Sequence, residues 1–62
     1  MKFYDFMRMY DNWNGITRVN DINLKTIVEE KTYVIMDTRA DLWSRKVLAF
    51  GFYEGVMTVR VR

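Results

Sequence analysis

The segment KVLAFGFYEGVMTVRVR at 46–62 constrains the fold more than any other part of the chain. Apolar residues alternate on both sides of Glu54-Gly55. A two-residue loop that contains glycine is typical of a β-hairpin, because glycine accepts the positive φ of primed turns. The predicted cross-strand pairs are Tyr53–Val56, Phe52–Met57, Phe50–Val59 and Leu48–Val61.

Strand alternation gives this hairpin two faces of different composition. The first face is entirely apolar and is predicted to be core; it consists of Leu48, Phe50, Phe52, Met57, Val59 and Val61. The second, mixed face consists of Val47, Ala49, Gly51, Tyr53, Val56, Thr58, Arg60 and Arg62. A register shift of one residue would bury two arginines, so the pattern specifies the register strongly.

The N-terminal segment predicts an amphipathic helix over about residues 2–13. Its apolar residues have the spacing of one helix face and are Phe3, Phe6, Met7, Tyr10 and Trp13. Asn14-Gly15 follows as a stop signal, with Gly15 suited to a left-handed C-cap. We expect the aromatic stripe of this helix to cover the apolar face of the C-terminal hairpin.

A second hairpin is predicted from ITRV at 16–19 and LKTIVE at 24–29, around the turn-forming NDIN. A four-residue loop would pair Val19 with Leu24 and Ile16 with Ile27. It would also set Arg18 opposite Lys25, which is unfavourable for two like charges. The pattern therefore leaves this register open.

The segment between the two hairpins carries weaker signals. TYVIM at 32–36 is expected to be a third short strand or a buried extended segment. Asp37 or Thr38 can cap a short helix, RADLWSR at 39–45, that directs Leu42 and Trp43 inward.

These elements predict a single α+β domain over residues 1–62. Its N-terminal amphipathic helix packs on a small antiparallel sheet of two hairpins, which are joined by a short helical turn. A single core is marginal at 62 residues, so self-association, for example as a homodimer, is expected to add stability. Strands 16–19 and 56–61 are expected at exposed sheet edges, where an unpaired strand can recruit another.

The composition argues against catalysis and against metal or cofactor chemistry. The chain has no histidine, no cysteine, one serine and no glycine-rich phosphate loop. The candidate carboxylate pairs, Asp37 with Asp41 and Glu29 with Glu30, lie in predicted turns or caps, where acidic residues are expected anyway. We expect a non-enzymatic protein without cofactor or metal. The lack of cysteine, export signal and long apolar run indicates a cytoplasmic protein that does not insert into a membrane.

The mixed face of the C-terminal hairpin is the predicted partner-binding surface. An apolar centre with a tyrosine and an arginine rim is typical of protein interfaces. The predicted contact residues are Val47, Ala49, Gly51, Tyr53, Val56, Arg60 and Arg62. An intramolecular alternative is that residues 32–45 fold over this face and complete a second small core.

Nucleic-acid binding is the alternative function of the same face. Sheet-based RNA binders combine stacking aromatic residues with basic side chains. The candidate residues are Arg45, Lys46, Tyr53, Arg60 and Arg62. The net charge of +2 is too small to indicate nucleic-acid binding by itself.

The chain resembles small orphan proteins of bacteriophages and mobile elements in Gram-positive bacteria. The resemblance rests on the residue patterns of NGITRVND early in the chain and RKVLAFGFYEGVMTVRV later. The resemblance implies an intracellular accessory protein that binds and modulates a host protein. It carries no defined functional motif, so it assigns no site residues.

Overall fold

The chain folds into four strands and two α-helices in the computed structural model, which describes residues 1–62. In chain order the elements are α1 (Phe3–Arg8), β1 (Ile16–Asn20), β2 (Thr26–Lys31), α2 (Thr32–Thr38), a 3-10 helix (Ala40–Leu42), β3 (Val47–Tyr53) and β4 (Val56–Val61). The strands form one sheet in the order β2-β1-β4-β3. The predicted α+β class is therefore confirmed, whereas the sheet is mixed rather than purely antiparallel.

The C-terminal hairpin forms around the predicted two-residue loop. Glu54 and Gly55 have φ values of 55° and 79°, and two positive values are what a type I′ turn requires. The three predicted pairs nearest the turn are confirmed. The fourth is wrong, because a bulge between Val47 and Ala49 sets Val47, and not Leu48, opposite Val61.

The two strands predicted at the edges lie instead at the centre of the sheet. β1 and β4 run parallel, with Thr17 opposite Met57 and Val19 opposite Val59. Alternation within each hairpin says nothing about which strands of different hairpins become neighbours. Burial accounts for the arrangement, since Val19 and Val59 are fully buried and a central position allows this. The edges of the sheet are β2 and β3.

The first hairpin adopts a different register from the predicted one. Arg18 lies opposite Glu29 rather than Lys25, and Val19 lies opposite Val28 rather than Leu24. Ile16 likewise lies opposite Lys31 and not Ile27. The loop is longer than predicted because the Asp21 carboxylate accepts hydrogen bonds from the backbone N–H groups of Asn23 (2.8 Å) and Lys25 (3.0 Å).

Helix α1 ends at Arg8, five residues before the predicted end. The Asn12 carboxamide oxygen accepts a hydrogen bond from the Gly15 N–H at 3.1 Å, a local bond that competes with helix continuation. Gly15 is not in the left-handed region, so the predicted C-cap is wrong. Trp13 consequently lies outside the helix and is exposed.

The segment 32–36 is helical, which corrects the prediction of an extended conformation. Thr32, Ile35 and Met36 are spaced as one helix face, and all three are buried. The Thr32 hydroxyl donates to the Gly15 carbonyl at 3.0 Å and lies 2.6 Å from the Thr17 hydroxyl. Tertiary contacts thus override the strand preference of this β-branched segment.

The 3-10 helix falls within the predicted short helix, but no side chain caps it. Leu42 is fully buried as predicted. Trp43 is exposed and packs on Tyr4 with ring centroids 4.9 Å apart.

All helices pack on one face of the sheet, here called the inner face. The core consists of Phe3, Met7, Val19, Ile35, Met36, Leu42, Met57, Val59 and Val61. Because α2 and the 3-10 helix contribute to this core, residues 32–45 do not cover the opposite, outer face. That intramolecular alternative is therefore wrong, and the domain has two layers.

Candidate protein-binding face

The outer face of the sheet is built from three neighbouring strands. Its central row places Arg18 of β1 beside Thr58 of β4 and Gly51 of β3. The next row has the same strand order and consists of Asn20, Arg60 and Ala49. Val56 and Tyr53 form the pair beside the turn. Since strand partners share a face, these side chains are presented together.

The structure brings most of the predicted partner-binding residues to this face. Ala49, Gly51, Tyr53, Val56 and Arg60 lie there together. Two predicted members lie elsewhere. Val47 packs against the core, because the bulge at the start of β3 turns it to the inner side, and Arg62 follows the end of β4.

A shallow groove of about 420 Å³ crosses the outer face. Its lining residues are Arg18, Asn20, Leu24, Ala49, Phe50, Tyr53, Thr58 and Arg60. Leu24 was not anticipated from the sequence, because its position depends on the longer loop between β1 and β2. It is 64% exposed and has a φ of 65°, a conformation that is unusual for a branched apolar residue.

Tyr53 lies along its own strand over Gly51. A Cβ atom added to Gly51 would be 3.2 Å from the Tyr53 ring, so glycine allows this close approach. The tyrosine nevertheless remains 60% exposed. The neighbouring Thr58 is buried although no helix covers it. The groove therefore has a close-packed floor and an exposed aromatic wall.

The groove contains two guanidinium groups in different electrostatic states. Arg18 donates a hydrogen bond to Glu29 at 2.7 Å, and this bond raises the pKa of Arg18 despite some opposing desolvation. The negative charge of Glu54 acts in the same direction. Arg60 has no carboxylate within 4.0 Å. No Asp or Glu lines the groove, so Arg60 offers it an uncompensated positive charge.

Phe50 and Phe52 correct the predicted core. Both face the helix layer, where Phe50 contacts Phe6 and Phe52 contacts Tyr10, with ring centroids 4.8 and 6.1 Å apart. They are nevertheless 62% and 61% exposed. Leu48, also predicted as core, is exposed as well. Because α1 spans only six residues and β3 is an edge strand, the helix layer does not extend over this side of the sheet.

The basic residues proposed for nucleic-acid binding separate into two groups. Arg60 and Tyr53 belong to the groove. Arg45 and Arg62 lie at one end of the sheet, where the Arg45 guanidinium donates to the Arg62 carbonyl. Lys46 and Lys2 join the same end through an antiparallel bridge, which the sequence did not indicate.

Three of the four carboxylates considered for catalysis have structural partners, and Asp37 is exposed without one. Asp41 accepts two hydrogen bonds from Arg39, at 3.0 and 2.9 Å, and this interaction lowers the pKa of Asp41. Glu29 binds Arg18, and Glu30 accepts a hydrogen bond from the Lys31 N–H at 2.9 Å. No group of three or more acidic residues is placed to hold a metal ion.

No helix has the length and apolar character needed to cross a membrane. No protein-family model matches the chain, and no match was found among curated proteins or solved structures.

Proposed function

We propose that this protein is a non-catalytic interaction module that binds another protein in the outer groove. The observation that carries the proposal is the uncovered groove itself, in which the exposed side chains of Leu24 and Tyr53 stand beside Arg60. Aromatic residues and arginines dominate the binding energy of many protein interfaces. An uncovered face of this composition is suited to such a partner.

The charges of the groove define the partner chemistry. Arg60 is uncompensated, and Arg18 is already bonded to Glu29. An apolar side chain flanked by a carboxylate would complement this surface, because the carboxylate would meet a guanidinium and the apolar group would meet Leu24 and Tyr53. The expected partner is therefore a protein segment that combines apolar and acidic residues.

The backbone conformation of Leu24 supports the same proposal. A left-handed conformation costs a non-glycine residue roughly 1–2 kcal/mol. The loop holds Leu24 in this conformation, with its apolar side chain largely exposed at the groove. In the free protein, no burial of the Leu24 side chain offsets the cost of this backbone conformation. This is consistent with a side chain that becomes buried when a partner binds.

The proposed cellular role is that of an accessory protein. A small cytoplasmic accessory protein of a phage or mobile element would act by binding and modulating a protein of its host. This role agrees with the absence of cysteine and with a binding face in place of a catalytic centre.

The proposal is tested by capturing partners on the immobilised protein from a host lysate, followed by calorimetry with each purified partner. We expect Tyr53→Ala and Leu24→Ala each to weaken binding about tenfold or more, which is the range of interface hot spots. Ile22→Ala is the matched control, because Ile22 is an exposed apolar residue of the same loop that does not line the groove. Equal affinities for all three variants would contradict the assignment.

Nucleic-acid binding is a second candidate function, supported by the basic end of the sheet. Backbone pairing brings Lys2 and Lys46 together there, next to Arg45 and Arg62. Such a cluster fits contacts with a phosphate backbone, whose strength falls steeply with salt.

Titration of labelled oligonucleotides between about 50 and 200 mM salt tests this candidate. Lys46→Glu should abolish binding, whereas Lys25→Glu, the same charge reversal in the β1–β2 loop, should weaken it less. No binding by the unmodified protein at the lower salt concentration would eliminate the candidate.

A further inference from the structure

The β3 edge of the sheet has an open row of backbone groups. In a two-residue hairpin the residues beside the loop form a hydrogen-bonded pair, and such pairs alternate along the strands. Tyr53 and Gly51 therefore bond to β4, whereas the N–H and C=O groups of Phe50 and Phe52 point away from it. No other backbone group bonds to these two phenylalanines.

Only the start of this edge is covered. The Val47 N–H donates to the Met1 carbonyl at 2.8 Å, and Lys2 bridges Lys46. The strand from Ala49 to Tyr53 is therefore free to pair. It carries no charged side chain, although charges are the usual protection of a sheet edge.

We infer that a second copy of this chain binds at the β3 edge by antiparallel strand pairing centred on Gly51. This register sets Phe50 of each copy opposite Phe52 of the other, so that all four open backbone groups of each strand are used. The arrangement has twofold symmetry and forms an eight-stranded sheet. This interface shares Tyr53 with the groove but includes neither Leu24 nor Arg60.

The side chains at this edge are self-complementary in the same register. The two Phe50–Phe52 pairs meet on the helix side, and each aromatic ring already contacts Phe6 or Tyr10 of its own chain. Tyr53 lies opposite Ala49 of the second copy, a large residue opposite a small one. Aromatic pairs directly opposite each other are favourable cross-strand contacts.

The available area sets the expected strength. Phe50, Phe52 and Tyr53 are each about 60% exposed, which at roughly 200 Å² per aromatic side chain leaves about 350 Å² to bury. A standard interface buries about 800 Å² on each partner. With the backbone edge and Leu48 added, this dimer belongs to the lower end of the size range. We expect a Kd on the order of tens of micromolar.

Sedimentation equilibrium from about 1 µM to about 1 mM tests the association, because mass action makes a dimer of this strength appear within that range. The average mass should rise from 7.5 kDa toward twice that value. Phe52→Lys should remain monomeric throughout, since it places a charge in the interface without touching the groove. Ile22→Lys, which adds the same charge at an exposed apolar residue of the β1–β2 loop, should dimerise like the unmodified protein.

Disulfide formation tests the register, because the chain has no cysteine of its own. Two Gly51→Cys copies would have Cα atoms about 4.5 Å apart across the twofold axis, within disulfide range. Tyr53 must shift slightly to admit the new side chain. Two Ala49→Cys copies would lie about 13 Å apart and should not crosslink.

Several outcomes would overturn the inference. A protein that stays monomeric to about 1 mM has no such interface. Equal dimerisation of Phe52→Lys would place the interface elsewhere. Crosslinking of Ala49→Cys as fast as Gly51→Cys would exclude the register. Leu24→Ala should leave dimerisation unchanged, so failure here and failure of the groove proposal are distinguishable.

Discussion

Strands β2 and β3 both lie at an edge of the sheet, yet β2 reads TIVEEK and β3 reads VLAFGFY. Charged residues occupy half of β2, and one of them, Glu29, bonds across to Arg18. β3 has none, and two of its phenylalanines are more than half exposed. Charges at an edge oppose pairing with another sheet.

Charged side chains protect only the β2 edge of the sheet. A sheet with two unprotected edges can add copies without end, whereas a sheet with one stops at a closed pair. The charges of β2 therefore oppose the addition of a further copy at that edge, and the apolar strand β3 is the edge at which a copy can pair.

The largest effect is expected from substitutions of two phenylalanines in the layer between the helices and the inner face of the sheet. Phe3 of α1 is fully buried, so Phe3→Ala should lower the free energy of unfolding by about 3–5 kcal/mol. Phe52→Ala at the open edge should lower it by less than about 1 kcal/mol. Urea denaturation at low protein concentration measures both. Similar losses would show that β3 is covered as completely as the core.

The second effect concerns the attachment of β2 to the helix layer. Thr32 directly follows β2, and its hydroxyl lies 2.6 Å from that of Thr17 in the buried interior. Thr32→Val leaves the Thr17 hydroxyl without a partner and should cost about 1–3 kcal/mol.

The double variant Thr17→Val/Thr32→Val is the control. It should regain most of the lost stability, because the Gly15 carbonyl still accepts the Thr32 N–H. If thermal denaturation shows that the double variant is less stable than Thr32→Val alone, the unpaired Thr17 hydroxyl is not the cause of the lost stability.

A third test removes two of the three charges of β2. Glu30→Val/Lys31→Val leaves the Arg18–Glu29 ion pair and the net charge unchanged. We expect aggregates that grow with concentration, detected by light scattering, because both edges can then pair. Asp5→Val/Arg8→Val makes the same exchange on exposed residues of α1 and should not aggregate. Equal aggregation of the two variants would point to general hydrophobicity instead.

The smallest effect is expected from an ion pair that belongs to neither edge. Bonding to Arg39 lowers the pKa of Asp41 below its usual 3.8. Its ionised form therefore favours the folded state; this contribution is complete above about pH 4 and is lost as the pH falls through the lower, folded-state pKa.

Asp41→Asn removes this contribution, so it should lower the free energy of unfolding slightly at neutral pH, and the difference from the unmodified protein should disappear as the pH falls through the folded-state pKa. Asp37→Asn, at an exposed carboxylate without an ion-pair partner, is the control. Matching pH profiles for the unmodified protein and Asp41→Asn, measured by urea denaturation, would contradict this role.

The sequence predicted what depends on neighbouring residues. Alternation about Glu54-Gly55 gave three correct pairs, because turn chemistry and side-chain periodicity act over a few residues. It failed at Leu48, where a bulge breaks the period. The helix at 32–38 was missed because buried contacts of Ile35 and Met36 outweigh β-branched propensity.

The strand order could not be predicted in the same way. Thr17 and Met57 become neighbours only after the two hairpins meet, and no local pattern records that choice. The exposure of Phe50 follows from it, since an apolar residue on an edge strand is buried only where a helix reaches it. Most residues of the outer face were predicted from the sequence. Leu24 was not, because a loop conformation brings it to the groove. Lys2 was not, because a backbone bridge brings it to the basic end of the sheet.

The central position of β4 has a consequence for how the chain acquires its shape during synthesis. β4 emerges from the ribosome after the other three strands, yet both β1 and β3 pair with it. Until it emerges, Val19 lacks its partner Val59, and β3 has no strand to pair with. Contacts between such distant parts of a chain form slowly. The nascent protein therefore presents β3 and one side of β1 unpaired to chaperones and proteases until β4 has emerged.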